Sequence, residues 1–351
     1  MTAAGLNIRG VPTDARFIAS VSGRAAVPAR ASAFARHLVL AYRPGWQSIE
    51  DLNTIAAHVR EFDPTIRTFI MPTTHRNTVS RKEAATRPTL VVSNGRMLAF
   101  TPLRGKVYQG WPIPKVEEVR RLELAGLPVP RTEILTPELK LDPAAWGEFV
   151  IIKPTDIGTS SKGAGIQLMR TERVRYIAPR DYPAGHPGRL GPMLVQQYIN
   201  DDGHVGVYRV LTLFGEPLYA VRNRSRQPVV DLTLPDDAIE NLPVAHQLLT
   251  TETREREIVD APEEVALARA AHAATPEIPL TGVDIVRDGK TGRLYIIELN
   301  AGGNTWHFSS SFEARNRDAN GAEFEHKRLT QFDALRTAAR VYVRKTNADA
   351  I

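Results

Sequence analysis

The chain has 351 residues and a mass of 38.8 kDa, with 42% hydrophobic and 24% charged residues, the balance of a globular protein with room for two or three cores. It has no cysteine, so disulfides and thiolate metal sites are excluded, and no apolar run approaches the length of a membrane span. Its 45 Lys and Arg against 39 Asp and Glu give a net charge of +6, but the arginines are dispersed and no aromatic-basic motif accompanies them, so nucleic acid is not an expected partner. A cleft that takes a small anion accounts for the positive charge just as well.

Residues 1–36 are rich in Ala, Arg, Ser and Pro, with Asp14 as the sole acid, and read as a basic leader or edge segment without a signal-peptide core. A smaller α/β unit follows over 37–113. Residues 37–42 are strand-like, Ile49, Leu52, Ile55, Ala56, Val59 and Phe62 keep helical spacing, and 66–71 and 89–93 are strand-like again. That is a βαβ unit without G-x-G-x-x-G, so a dinucleotide site is unsupported. A helix opens at Lys115 and closes at Gly126, with Pro128 and Pro130 stopping it.

Residues 149–154 make a buried-strand pattern that ends in Lys153. The loop after it carries Gly158, Thr159, Ser160, Ser161, Lys162 and Gly163, whose backbone N–H groups and hydroxyls suit an anion. It is not a P-loop, because Ala164 and Gly165 stand where Lys and Ser/Thr are required. The Pro/Gly-dense stretch 179–192 reads as a loop between subdomains. Residues 192–199, with Gln196, Gln197, Tyr198 and Ile199, form an apolar strand running into a bend at 200–203. Residues 208–224 read as a hairpin whose far strand ends in Arg222 and Arg224. The irregular stretch 225–260 is expected to cap the site, ahead of a helix over 262–275.

Two apolar runs, 282–286 and 294–299, flank a turn-rich 288–292 and predict an antiparallel hairpin. Alternation along a strand puts Glu298 and Asn300 on one face. If Asp284 pairs with Glu298, three oxygen side chains converge, and such hard ligands suit Mg²⁺ or Mn²⁺. The Gly-rich 301–307 follows, and a last helix near 331–344 is expected to cover the sheet.

A lysine strand, a glycine loop, an apolar strand into a hinge and then Asp…Glu-x-Asn, in this order from Pro114 onward, resemble the ATP-grasp superfamily. The resemblance implies a mixed α/β and α+β chain: an ATP-grasp fold behind an open α/β domain. One ATP-grasp subdomain would span 114–195 and the other 196–351. It implies ATP with Mg²⁺ (or Mn²⁺) as cofactors. Lys115 and Lys153 would approach the α-phosphate, and residues 158–163 would fold over the β- and γ-phosphates. Residues 197–199 would read the adenine edge, with Gln196-Gln197 standing where many members begin the hinge with Glu. Asp201 and Asp202 are nearby candidates for the ribose. Asp284, Glu298 and Asn300 would hold the metal. Arg222 is the preferred contact of the transferring phosphate, since a guanidinium suits phosphate oxygens. Arg209, Arg224, Asn304 and His307 are candidate substrate contacts, with the substrate cleft expected beside Trp306. The implied activity is a cytoplasmic ligase that joins a small-molecule or peptide carboxylate to an amine. A phosphotransferase, a non-catalytic ATP-binding protein and a homodimer stay open, and a membrane is not expected as a partner.

Overall fold

Strand β1 (Arg36–Tyr42) buries His37 through Ala41 without interruption, the mark of a strand covered on both faces. The computed structural model describes residues 34–73, 82–96, 102–155, 163–245, 249–250, 252–301, 306, 308 and 311–351, the stretch 311–320 by its backbone only. Helix α1 (Ile49–Phe62) starts where the Ser48 hydroxyl accepts the Glu50 N–H at 3.0 Å. It buries Leu52, Ile55 and Val59 against the sheet. Strands β2 (Ile66–Pro72), β3 (Thr89–Ser93) and β4 (Val107–Gln109) complete a parallel sheet in the order β2-β1-β3-β4. The expected βαβ unit is therefore present, extended by one short edge strand.

Helix α2 (Lys115–Leu124) leads to a second sheet, of order β5-β8-β6-β7, built from β5 (Thr132–Ile134), β6 (Phe149–Pro154), β7 (Gln167–Arg170) and β8 (Met193–Gln197). Val150 and Ile152 of β6 are buried with Trp146 and Val195, while Phe149 points to the opposite side, where Leu168, Val230 and Ile239 cover it. Residues 179–192 do not separate subdomains as expected: they join β7 to β8, two strands of this one sheet.

The third sheet is antiparallel, ordered β11-β10-β9-β12-β13. Strands β9 (Gly206–Leu213) and β10 (Glu216–Ser225) form the predicted hairpin, turning at Phe214 and Gly215, both at positive φ. Strands β12 (Leu280–Arg287) and β13 (Leu294–Asn300) form the other. Strand β11 (Arg254–Ile258) was not foreseen; its Arg-Glu-Arg-Glu run lacks an apolar face because it lies on the sheet's edge.

Helices sort the faces of this sheet. Val210, Ala220, Val283, Ile285, Ile296 and Leu299 pack on Ala268 and Ala271 of helix α3 (Pro262–Ala273). On the opposite face, Leu211, Leu213, Tyr219, Val221 and Leu280 share a core with Leu38, Leu40 and Leu90 of the first sheet. Helix α4 (Ser311–Thr330), broken at Gly321, precedes helix α5 (Ala334–Asp349), whose Ala338, Val341 and Tyr342 enter that same core. Each large apolar side chain buried there contributes roughly 1.5–3 kcal/mol. The last helix thus covers the sheet, as expected, and runs five residues past its expected end because Asp349 is held by Lys106 at 2.7 Å and Lys345 at 2.8 Å. None of the helices among the described residues is long and apolar enough to cross a membrane.

Candidate active site

Asp284 and Glu298 are direct register partners on β12 and β13, and Asn300 lies two residues further along the same face. The Asn300 amide donates to Asp284 Oδ2 at 3.0 Å, and the register puts Glu298 on the same face. Arg209 is the register partner of Asp284 on the other side, and grips it with two bonds, Nε to Oδ1 at 2.7 Å and a terminal nitrogen to Oδ2 at 2.6 Å. Asp284 is only 3% exposed, and this bidentate pairing gives the buried side chain the partner that burial demands.

Lys115 arrives from the first turn of α2. Its ammonium is 2.7 Å from Glu298 Oε1 and 3.2 Å from Glu118 Oε2. Glu118, 2% exposed, uses its other oxygen to accept the Leu299 N–H at 2.8 Å. Burial disfavours the charge on Lys115, but Glu118 and Glu298 outweigh it and hold the ammonium above the ordinary lysine range. Burial likewise works against the Glu298 carboxylate, and Lys115, Lys153 and Arg209 reverse the balance and draw it below its usual range. Glu118 goes the other way: burial raises it, more than Lys115 and the Leu299 N–H can offset.

Lys153 comes from the second sheet. Its ammonium donates to Gln196 Oε1 at 2.9 Å, Gln196 Nε2 donates to Thr132 Oγ1 at 2.8 Å, and the Thr132 hydroxyl donates to the Pro130 carbonyl at 2.8 Å. Burial pushes Lys153 down to about 8, against the opposing pull of Glu298 and with a further push from Lys115. Lys153, from a strand, and Lys115, from a helix, therefore feel the same Glu298.

The remaining predicted residues are placed as follows. The Gln196 side chain, 4% exposed, bonds to Lys153 and Thr132. The Gln197 N–H bonds to the Arg131 carbonyl at 2.8 Å and the Tyr198 N–H to the Phe149 carbonyl at 3.2 Å, and Ile199 is buried. Asp201 pairs with Arg224 at 3.1 Å. Gly163 closes its turn at φ 90°, while Gly158, Thr159, Ser160, Ser161, Asn304 and His307 lie outside the described residues.

Two expectations are overturned. Arg222 pairs in register with Tyr208, one residue out of phase with Arg209, so Arg222 and Arg224 lie on the face that α3 covers. Arg222 bonds Glu257 at 2.5 Å there, behind the sheet, and Arg209 is the arginine that joins the acids. Trp306 does not line a cleft: it is 1% exposed, stacks edge-on with Phe308, and its indole N–H donates to Asp51 Oδ2 at 2.9 Å. Glu118 and Thr132 were missed. Glu118 had a signal, an acid three residues after Lys115 on a predicted helix; Thr132 had none.

Among the described residues no three His, Cys, Asp or Glu gather as a metal cluster. The shared face instead carries two carboxylates and one amide, side chains whose oxygens suit Mg²⁺ or Mn²⁺, with no His or Cys among them.

Two antiparallel sheets bring a lysine and an Asp/Glu-x-Asn face to one site, behind a parallel α/β unit. No family model matches the chain, and no curated protein does. Among solved structures it is similar to the D-cycloserine synthetase DcsG, at 17% identity and a TM-score of 0.48 over 88% of this chain and 99% of that one. It is similar to the ATP-grasp ligase PsnB in complex with a minimal precursor, at 16% identity and a TM-score of 0.47 over 89% and 100%. It is also similar to the D-alanine–D-alanine ligase of Bacillus anthracis, at 12% identity and a TM-score of 0.43 over 89% and 100%.

Proposed function

We propose that the protein is an ATP-dependent ligase that activates a carboxylate as an acyl phosphate, joins it to an amine, and releases ADP and phosphate. The observation that supports this most is the cluster of Lys115, Lys153 and Arg209, drawn from a helix and two sheets onto Glu298 and Asp284. Such a cluster is balanced internally, so it can exchange partners with a polyphosphate and a cation without stranding a buried charge. Asp284, Glu298 and Asn300 are the residues that would hold Mg²⁺, which supplies positive charge on the phosphate oxygens.

The chain's own groups do the rest. Lys115 and Lys153 bind non-bridging phosphate oxygens, and an arriving phosphate raises the proton affinity of Lys153, keeping it charged. Arg209 takes the part expected of Arg222, orienting Asp284 and lending its charge to the transferring group. The substrate carboxylate oxygen bonds to the γ-phosphorus as the bond from that phosphorus to ADP breaks. The amine then bonds to the acyl carbon, loses a proton, and phosphate departs with the former carboxylate oxygen. We take 37–113 as the substrate-side domain, with 114–195 and 196–351 as the two halves that enclose the nucleotide.

The test is turnover with ATP, Mg²⁺ and a panel of acids and amines, one acid carrying ¹⁸O in its carboxylate. Expected are ADP, phosphate that contains the label, and a hydroxamate when hydroxylamine is the acceptor. Release of AMP and pyrophosphate would overturn the proposal. A stable phosphorylated product without free phosphate would point to a phosphotransferase, and ATP binding with no turnover to a regulatory protein.

A further inference from the structure

Glu118 has a place in the cluster that the ligand roles do not explain. It sits on helix α2 one turn from Lys115, 2% exposed, and divides its two oxygens between two elements. Oε1 accepts the N–H of Leu299, the residue between Glu298 and Asn300 on β13, at 2.8 Å. Oε2 takes the Lys115 ammonium at 3.2 Å, while the same ammonium is 2.7 Å from Glu298. One lysine is thus shared by two carboxylates, of which Glu298 is 37% exposed at its side chain and Glu118 is almost wholly enclosed.

The sharing has a consequence for Glu298. Glu298 has Lys115 as its direct ion-pair partner, 2.7 Å away, and gives up that partner when a divalent ion takes the carboxylate. The displaced ammonium must then find another anion, because a buried ammonium without one is strongly disfavoured. Glu118 is that anion, already in contact, and its backbone bond to Leu299 keeps it beside the strand carrying the ligands. We infer that Glu118 is a positioning residue that receives Lys115 when Glu298 turns to a metal ion, so that lysine and metal do not compete for the same carboxylate. This deepens the ATP-dependent reading of the site and rests on it. Glu118 touches neither nucleotide nor metal in this role; it acts through Lys115.

A double-mutant cycle on the full chain tests this. Free Mn²⁺ is followed by electron paramagnetic resonance during titration of the parent, Glu118→Gln, Lys115→Met and the double variant, each with a non-hydrolysable ATP analogue. Glutamine keeps an amide oxygen for the Leu299 N–H, so the melting temperature of Glu118→Gln should stay close to the parent's, while Glu118→Ala should lower it. With Lys115 present, Glu118→Gln should weaken Mn²⁺ binding at least about fivefold, the ratio that corresponds to about 1 kcal/mol. In the Lys115→Met background the same change should have little effect, since the competitor is gone. Equal losses in both backgrounds, or no loss in either, would overturn the proposal while leaving the nucleotide site standing. Nucleotide and Mn²⁺ affinities unchanged by both Lys115→Met and Glu298→Gln would sink the nucleotide site itself, and this inference with it.

Discussion

Lys153→Met exposes what the free protein tolerates in order to keep a charged lysine in the cluster. Burial lowers the lysine from its ordinary 10.5 to about 8, even with Glu298 opposing the fall. That fall corresponds to about 3 kcal/mol, the disadvantage of the charged form in the folded protein relative to the unfolded chain. Between about 8 and 10.5 the unfolded chain holds the proton that the folded protein has lost, so stability rises with pH across that window. The gain is complete above 10.5 and disappears as pH falls through 8. Methionine has nearly the same length and does not titrate. At pH 7 the variant escapes the burial cost, offset by roughly 1–3 kcal/mol for the Gln196 oxygen left without its donor. Going from pH 7 to 10.5, the parent should gain about 3 kcal/mol on the variant, whatever other groups titrate in both. Urea unfolding of the two proteins at pH 7, 8.5 and 10 measures this difference directly. A gap that does not move with pH would refute the reasoning, and so would one that moves in the variant's favour.

Asp284→Asn should cost roughly 3–5 kcal/mol in urea unfolding, because it strips the buried Arg209 guanidinium of its carboxylate while preserving volume. A loss below about 1 kcal/mol would show that solvent already screens the pair. Gly215→Ala should lower stability by about 1–2 kcal/mol without any clash, since the position has φ 85° and open space for a Cβ; an unchanged melting temperature would mean that the hairpin turn relaxes to suit alanine.

Strong local patterns in the sequence carried over into the fold. The spacing of Leu52, Ile55 and Val59, the unbroken apolar strands of the first sheet, and the turns at Phe214–Gly215 and 288–292 all stand where their chemistry required. The common face of Asp284, Glu298 and Asn300 followed from alternation and one register assumption, which the pairing supplies. What escaped was tertiary. Strand β11 has no apolar alternation, because its stabilising partners are the hydrogen bonds of β10 and not a core. Arg222 and Arg209 look alike in sequence, each in a strand of the same hairpin, and only the register puts one before the sheet and the other behind it. Trp306 beside a glycine run suggested a cleft, yet its indole finds Asp51 on a helix more than 250 positions earlier in the chain.

The position of Glu298 depends on an irregularity in β13 that no apolar pattern announces. Asp284 faces Glu298, but the next pair is Ile285 with Ile296, so Ile297 is an extra residue on one side of the ladder. In an unbroken strand Ile296 would share the face of Glu298, two residues away. With the bulge, Ile296 and Leu299 are three apart and both buried in the core that α3 covers, 1% and 5% exposed. The strand can therefore anchor itself with apolar residues on both sides of the bulge while Glu298 and Asn300 stay on the acid face. Pairing without the bulge would force a choice: either Ile296 leaves the core or Glu298 leaves Asp284. The face that carries Asp284, Glu298 and Asn300 is thus held by core packing at Ile296 and Leu299. The same Leu299 gives its N–H to Glu118, so one residue fixes the strand from its side chain and the lysine helix from its backbone.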